Sequence, residues 1–195
     1  MPLPEQERYT YSDYATWDDD VRYELIAGVP YLMSPAPTPR HQLIAGELAL
    51  IFGSFLRGKP CKLISSPIDV RLNADTDDDT IVQPDLIVVC DKKKIGEKNI
   101  VGAPDLVVEV LSPSTETHDR MVKFALYRAY GVREYWVVDP KRRFVEVNLL
   151  ENGKYIKEVY GDKDVIDVAV LPGLAVNLTE VFPEGPEDGK DAAEP

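Results

Sequence analysis

Two acidic residues stand where apolar strands should run uninterrupted. Asp85 lies in VQPDLIVV, at the head of a run of leucine, isoleucine and valine, and Glu109 in DLVVEVLS, between valines. A run that is apolar on nearly every position is the pattern of a strand buried on both faces. A carboxylate within it must recover its lost hydration from a partner or a cation, or else sit at the strand's open end. These two positions constrain the whole chain, which has to build a core around them and supply something to meet the acids.

The remaining patterns say which core. Residues 22–33 (RYELIAGVPYLM) read as a hairpin turning at Ala27–Gly28. Prolines 35, 37 and 39 end it and lead into a helix from His41 to about Leu56, carried by Leu43, Ile44, Leu48, Ile51, Phe52 and Phe55 at helical spacing. Gly58 and Pro60 stop that helix. Strands are predicted over Leu63–Leu72, Ile81–Cys90 and Asp105–Leu111, with an acidic loop at 73–80. Thr115–Tyr130 reads as a second helix, capped by Ser114 or Thr115 and closed by Gly131. Strands at Glu134–Val138, Phe144–Leu150 and Tyr155–Val159 follow, the last two joined at Glu151–Asn152–Gly153. Leu171–Phe182 reads as a terminal turn and short helix. The order predicts an α/β fold, a mixed central β-sheet flanked by helices, with no internal repeat.

Charge marks the expected limits of the domain. The net charge of −12 argues at first against a nucleic-acid partner, whose phosphates need Lys and Arg. Residues 1–20 contribute −5, residues 183–195 another −4 and Asp75–Asp79 a further −4, so the rest of the chain stands at +1. Basic runs occur at Lys92–Lys94 and Lys141–Arg143, readable as solvated turns. An acidic extension is expected over 1–19, a folded domain over 20–182 and a loose acidic tail over 183–195. Cys61 and Cys90, without a CxxC spacing, suit free thiols in a reducing cytosol, and with only His41 and His118 no zinc site suggests itself. No secretory signal or membrane-spanning run is apparent, which predicts a cytoplasmic protein.

Alternation puts Gln83 and Asp85 on one strand face, and Glu109 on a face with Val107 and Leu111. If the strands are neighbours, the carboxylates converge. Converging carboxylates share a proton, bind a cation or each find a basic partner. A hard cation such as Mg²⁺, with oxygen ligands at about 2.0–2.1 Å, commonly uses one or two carboxylates plus substrate phosphates. A phosphodiester suits that arrangement, and a lysine nearby stabilises developing charge. The helix over 115–130 offers Arg120, Lys123 and Tyr127 on one face. Alternatively, Lys123 pairs only with Asp119 at i, i+4, an interaction of a few tenths of a kcal/mol.

The segments YELIAG, HQLIA, QPDLIVV, PDLVVEVLSPST, KFALY and GVREYWVVDP, in this order, resemble the Uma-type restriction-endonuclease family of the PD-(D/E)xK nuclease superfamily. The resemblance covers roughly residues 20–182. It implies a restriction-endonuclease-like core, an Mg²⁺ site (with Mn²⁺ as a substitute), DNA as substrate and a homodimer. Asp85 matches the PD aspartate and Glu109 the (D/E) position, both as metal ligands. The superfamily's short motif places its lysine at 111, where this chain has Leu111; the family places it on the next helix, which Lys123 matches. Glu24 matches a further acid that completes the metal shell or holds a metal-bound water. His41 matches a family histidine that touches phosphate or caps the helix, the cap being the favoured reading.

Gln83, Arg120 and Tyr127 are further candidates for substrate contact. Ser112, Ser114 and Thr115 read as helix caps, Tyr135 and Trp136 as core or interface aromatics, and Asp139 as a turn residue. The leading expectation is an Mg²⁺-dependent endonuclease hydrolysing DNA phosphodiesters. The competing one is a weak or inactive nuclease-like module that binds nucleic acid or a protein. A metal-independent structural protein ranks last, because it leaves the buried acids unexplained.

Overall fold

The structure, a computed structural model, describes residues 8–18, 21–33, 36–112 and 118–182, with side chains in the last stretch from Met121 onward. In chain order the elements are α1 (Tyr11–Tyr14), β1 (Tyr23–Ile26), β2 (Val29–Leu32), α2 (Pro39–Leu56), β3 (Lys62–Ser65), β4 (Val70–Arg71), β5 (Ile81–Val82) and β6 (Leu86–Val89). They continue with β7 (Ile100–Val101), β8 (Leu106–Val110), a π-helical stretch His118–Lys123 running into α3 (Phe124–Ala129), then β9 (Glu134–Asp139), β10 (Phe144–Glu151) and β11 (Lys154–Gly161). β12 (Val165–Asp167), β13 (Ala175–Asn177) and α4 (Leu178–Val181) close the described chain.

The strands make a six-stranded sheet, β11-β10-β9-β8-β6-β3, a five-stranded sheet, β2-β1-β5-β4-β7, and the pair β12-β13. Both larger sheets are mixed. β8 and β9 run parallel, and the crossover between them carries the π-helical stretch and α3.

Two predicted strands prove to be bent ribbons. Leu63–Leu72 divides into β3 and β4, and Ile81–Cys90 into β5 and β6; the first member of each split joins a different sheet from the second. β3 pairs with β6 in one sheet while β4 pairs with β5 in the other. The bends fall at Ser66–Pro67, a cis peptide, and at Gln83–Pro84. Proline has no N–H to give a ladder, so each proline ends a strand where an apolar reading sees continuity. The Ser66 amide donates to the Asp85 carbonyl at 2.9 Å, tying the two bends together. Asp85 therefore sits at the mouth of β6 rather than among its valines.

The six-stranded sheet separates two cores. On one side Leu86, Val88, Val108 and Trp136 pack with Ile44, Leu48, Phe52 and Leu56 of α2. Those four helical residues follow an i, i+4 stripe, and the Trp136 and Phe52 rings meet edge-on at 5.5 Å. On the other side Ile87, Val89, Val107, Leu111 and Val137 pack with Tyr127 and Tyr135. α2 begins at a Thr38 cap whose Oγ1 accepts from the His41 amide at 3.3 Å. Gly131, at φ 81°, closes the helix that ends in α3, as expected.

The folded unit starts before the boundary expected at residue 20. Tyr9 is buried with Leu25 and Ile81, and Tyr11, Tyr14 and Trp17 pack against them. The acids of this segment mark its surface and say nothing of its aromatic face. The expected tail at 183–195 lies outside the described residues, as do the proposed caps Ser114 and Thr115.

The expectation of free thiols is corrected. Cys61 precedes β3 and Cys90 follows β6, and the antiparallel register Lys62↔Val89 sets them directly opposite. They form a disulfide with Cα atoms 3.9 Å apart. A sequence separation of 29 gives no hint of this, because pairing depends on register rather than spacing. Thiol titration of the chain unfolded without reductant is expected to find no free thiol. Cys61→Ser is expected to lower unfolding stability by about 2–4 kcal/mol, read from denaturant melts.

Candidate functional site

β1 and β8 each contribute one glutamate to a common point between the two sheets. Glu24 of β1 and Glu109 of β8 are both 4% exposed, and Lys123 is 5% exposed. The lysine Nζ lies 2.9 Å from Glu24 Oε1 and 2.9 Å from Glu109 Oε1. Tyr127, one α-helical turn later, donates its hydroxyl to the same Glu109 oxygen at 2.8 Å. Burial drives the Tyr127 phenol well above its ordinary pKa, with the Glu109 and Glu24 charges adding to the effect, so it stays a donor. The backbone N–H of Gln83 donates to Glu24 Oε1 at 2.9 Å, fixing that acid from the bend side.

Asp85 stands next to this group. The register Leu86↔Val108, continued by one residue, sets Asp85 opposite Glu109. Its Oδ2 accepts from the Val110 amide at 2.8 Å and lies 3.2 Å from His41 Nε2. The favoured reading of His41 as a cap is corrected: Thr38 caps α2, and the buried imidazole faces Asp85.

Gln83 leads to a second polar layer that the sequence reading missed. Its Oε1 accepts from Arg22 Nε at 3.0 Å, and its Nε2 donates to Asp69 Oδ1 at 2.8 Å. Tyr14 donates to the same Asp69 oxygen at 3.1 Å. Burial raises the Asp69 pKa against the opposing pull of Tyr14, Gln83 and Arg22. Burial, then the Asp69 charge, pushes the Tyr14 phenol up to about 12. Asp69 carries a signal like that of Asp85, an acid close after a proline (Pro67 two residues before it, Pro84 directly before Asp85) and beside apolar neighbours. Tyr14 lay in the segment set aside on charge. The structure thus gathers Glu24, Glu109, Lys123 and Tyr127 directly, with Asp85, His41 and Gln83 adjoining; the side chain of Arg120 lies outside the described residues.

Donor chemistry at this place suits a hard divalent cation. Two carboxylates hold one ammonium and Asp85 stands across the strand from Glu109, and oxygen is the donor type such a cation takes. Among the described residues, no three His, Cys, Asp or Glu side chains are already drawn together as a metal cage. A cavity of ≈ 320 Å³ opens among Arg40, Leu111, Ser112, Asp139, Lys141 and Arg142, with Arg40 next to His41 and Leu111 two residues beyond Glu109 in the chain.

A mixed sheet bent around paired carboxylates and a lysine defines a nuclease-like α/β protein. The family described as "Putative restriction endonuclease" (Uma2) matches residues 11–179, and the chain belongs to it. It is also 34% identical over 117 residues to "Uncharacterized protein slr1290" of Synechocystis, a match spanning 59% of this chain and 60% of that protein. The chain thus spans less than two thirds of that relative's length. Its fold is shared with a crystal structure described as "a putative nuclease belonging to DUF820" from Anabaena variabilis, at TM-score 0.72 and 18% identity, over 89% of this chain and 97% of that one. No described helix is long and apolar enough to cross a membrane.

Asp69 gives the site a pH signature. Its folded pKa lies above the unfolded value, so the native state holds that proton more tightly. This group's contribution to stability is full below about pH 4 and declines as pH rises through the raised folded value. Asp69→Asn keeps an Oδ1 acceptor for Tyr14 and Gln83 but cannot ionise. Its melting temperature relative to wild type is expected to rise between pH 4 and pH 7, measured by calorimetry in matched buffers.

Proposed function

We propose that this protein is an Mg²⁺-dependent endonuclease hydrolysing DNA phosphodiester bonds. The observation that carries the reading is the buried Lys123 ammonium shared by Glu24 and Glu109, with Asp85 across the strand from Glu109. Asp85, Glu109 and Glu24 are the residues that would hold the metal. When bound, such an ion polarises a phosphoryl oxygen and lowers the pKa of a water.

The chain's own groups divide the remaining work. Lys123, held between two acids, is a fixed positive charge close to where a phosphoryl group gains negative charge. Tyr127 and the Gln83 amide keep Glu109 and Glu24 oriented without competing for protons. The Val110 amide and His41 hold Asp85, and His41 reaches the site from α2. Preorganisation of this kind lets the charges act without rearranging during the reaction. The reading includes Mn²⁺ as a substitute ion, a homodimer that presents one site to each strand, and residence in the cytoplasm.

A second reading, a nuclease-like module that binds without cutting, draws on one observation: Lys123 by itself already gives both glutamates a partner. The two readings separate on metal. Calorimetric titration of Mg²⁺ and Mn²⁺, with Ca²⁺ for comparison, runs alongside nicking of supercoiled plasmid. Wild type is expected to bind the ion and nick, and folded Asp85→Ala to do neither. Lys123→Gln is expected to keep metal binding and lose about 10²–10³-fold in nicking rate. Equal metal binding by wild type and Asp85→Ala, with no nicking by either, would establish the binding module instead.

A further inference from the structure

The basic run Lys141–Arg143 read from sequence as a solvated turn, and the geometry gives it a built form. Asp139 is 3% exposed and accepts from the Lys141 amide at 3.0 Å and the Arg142 amide at 2.8 Å. Its other oxygen takes Arg142 Nη1 at 2.9 Å. One buried carboxylate thus fixes both the backbone and a guanidinium of this turn. Arg143, at φ +54°, is held separately, its Nε donating to Asp162 at 2.6 Å. A solvated turn needs neither anchor.

The cavity of ≈ 320 Å³ lies against this turn, and Arg40 from the start of α2 lines its other side. Three cationic side chains, Arg40, Lys141 and Arg142, surround it, with Asp139 as the acid among the lining residues. In a chain of net charge −12, that is a local excess of positive charge. Leu111 and Ser112, two and three residues beyond Glu109, also line it, while Arg40 directly precedes His41. The cavity therefore continues the candidate site on two separate chain segments. A polyanion whose reactive group lies at Glu109 has its adjoining charges beside these cations.

We propose that this cavity seats a backbone phosphate of the DNA neighbouring the one to be cut, with Arg40, Lys141 and Arg142 as its contacts. The inference rests on the DNA reading above. It assigns these residues to affinity and position, apart from the groups around Glu109. Phosphate neutralisation has a signature that loss of a fold or of chemistry does not share. The logarithm of affinity falls with the logarithm of salt concentration, by about 0.9 for each phosphate contact on duplex and about 0.7 on single strands.

The test is fluorescence anisotropy of a labelled duplex across a salt series, with Ca²⁺ as the divalent ion. The proteins are wild type, Arg40→Ala/Lys141→Ala and Lys92→Ala/Lys93→Ala. The last removes the same amount of charge from the other basic run, and both variants leave the Asp139–Arg142 pair in place. Arg40→Ala/Lys141→Ala is expected to flatten the salt slope by about 1.8, from about 0.9 per contact, while Lys92→Ala/Lys93→Ala keeps the wild-type slope. Equal slopes for wild type and Arg40→Ala/Lys141→Ala would overturn the cavity assignment and leave the nuclease reading standing. Equal flattening in both variants would overturn it too, because the effect would then be net charge alone. A wild type that nicks plasmid but binds with no salt slope also removes the cavity's role, and one that neither binds nor nicks removes both readings.

Discussion

Glu24 belongs to β1 of the five-stranded sheet and Glu109 to β8 of the six-stranded one, and the Nζ of Lys123 lies 2.9 Å from each. Without that ammonium, two carboxylates almost wholly removed from water would face each other across the junction of the sheets. Removing one partner from a buried ion pair typically costs about 3–5 kcal/mol, so the lysine helps to hold the two sheets together. The same geometry explains why the amine comes from a helix. Position 111, two residues after Glu109 on the strand, is taken by Leu111, which is buried in the second core. The crossover from β8 to β9 passes over that core, and Lys123 and Tyr127 approach Glu109 from it.

A second constraint comes from the two prolines. Pro67 and Pro84 interrupt facing strands at the same level, so a single ribbon leaves one sheet and enters the other. The polar residues at those bends are the ones that organise the site: Asp69 on one strand, Gln83 and Asp85 on the other. A carboxylate in the middle of β6 would have no means of regaining hydration. At the bend, Asp85 finds the Val110 amide and His41. Proline and aspartate adjacent in QPD thus have a physical connection, the first opening the strand and the second occupying the opening.

Much of this was legible from residue pattern. The hairpin over 22–33, the long helix, the apolar strands and the turn at Gly131 all follow from periodicity and backbone preference. Periodicity put Lys123 on the helix after the Glu109 strand but left it open to Asp119, and only the family resemblance matched it to the acids. What could not be read is what depends on partners distant in sequence. Cys61 and Cys90 meet only because Lys62 pairs with Val89. Tyr14 and Arg22 reach Gln83 and Asp69 only after the N-terminal segment folds onto β1 and β5. His41 could be placed on a helix, yet the side of α2 that faces Asp85 is set by tertiary packing. Composition was the weakest guide: it marked residues 1–19 as a loose extension, although Tyr9, Tyr14 and Trp17 have apolar faces to bury.

Net charge needs the same correction. Much of the acidity in the loop 75–79 is engaged locally, with Arg71 reaching both oxygens of Asp78 at 2.9 and 2.6 Å and Asn73 donating to Asp79 at 2.9 Å. Around the cavity, Asp139 spends its two oxygens on the turn that carries Lys141 and Arg142. Asp78 and Asp139 thus each hold an arginine in place. Screening sharpens the point, since at physiological salt a charge is felt over roughly 8 Å. A phosphate at the cavity would experience Arg40, Lys141 and the Asp139-paired Arg142 far more strongly than distant surface acids. The charges within one Debye length of the cavity therefore weigh most on what it can hold, and its lining carries three basic side chains against one acid.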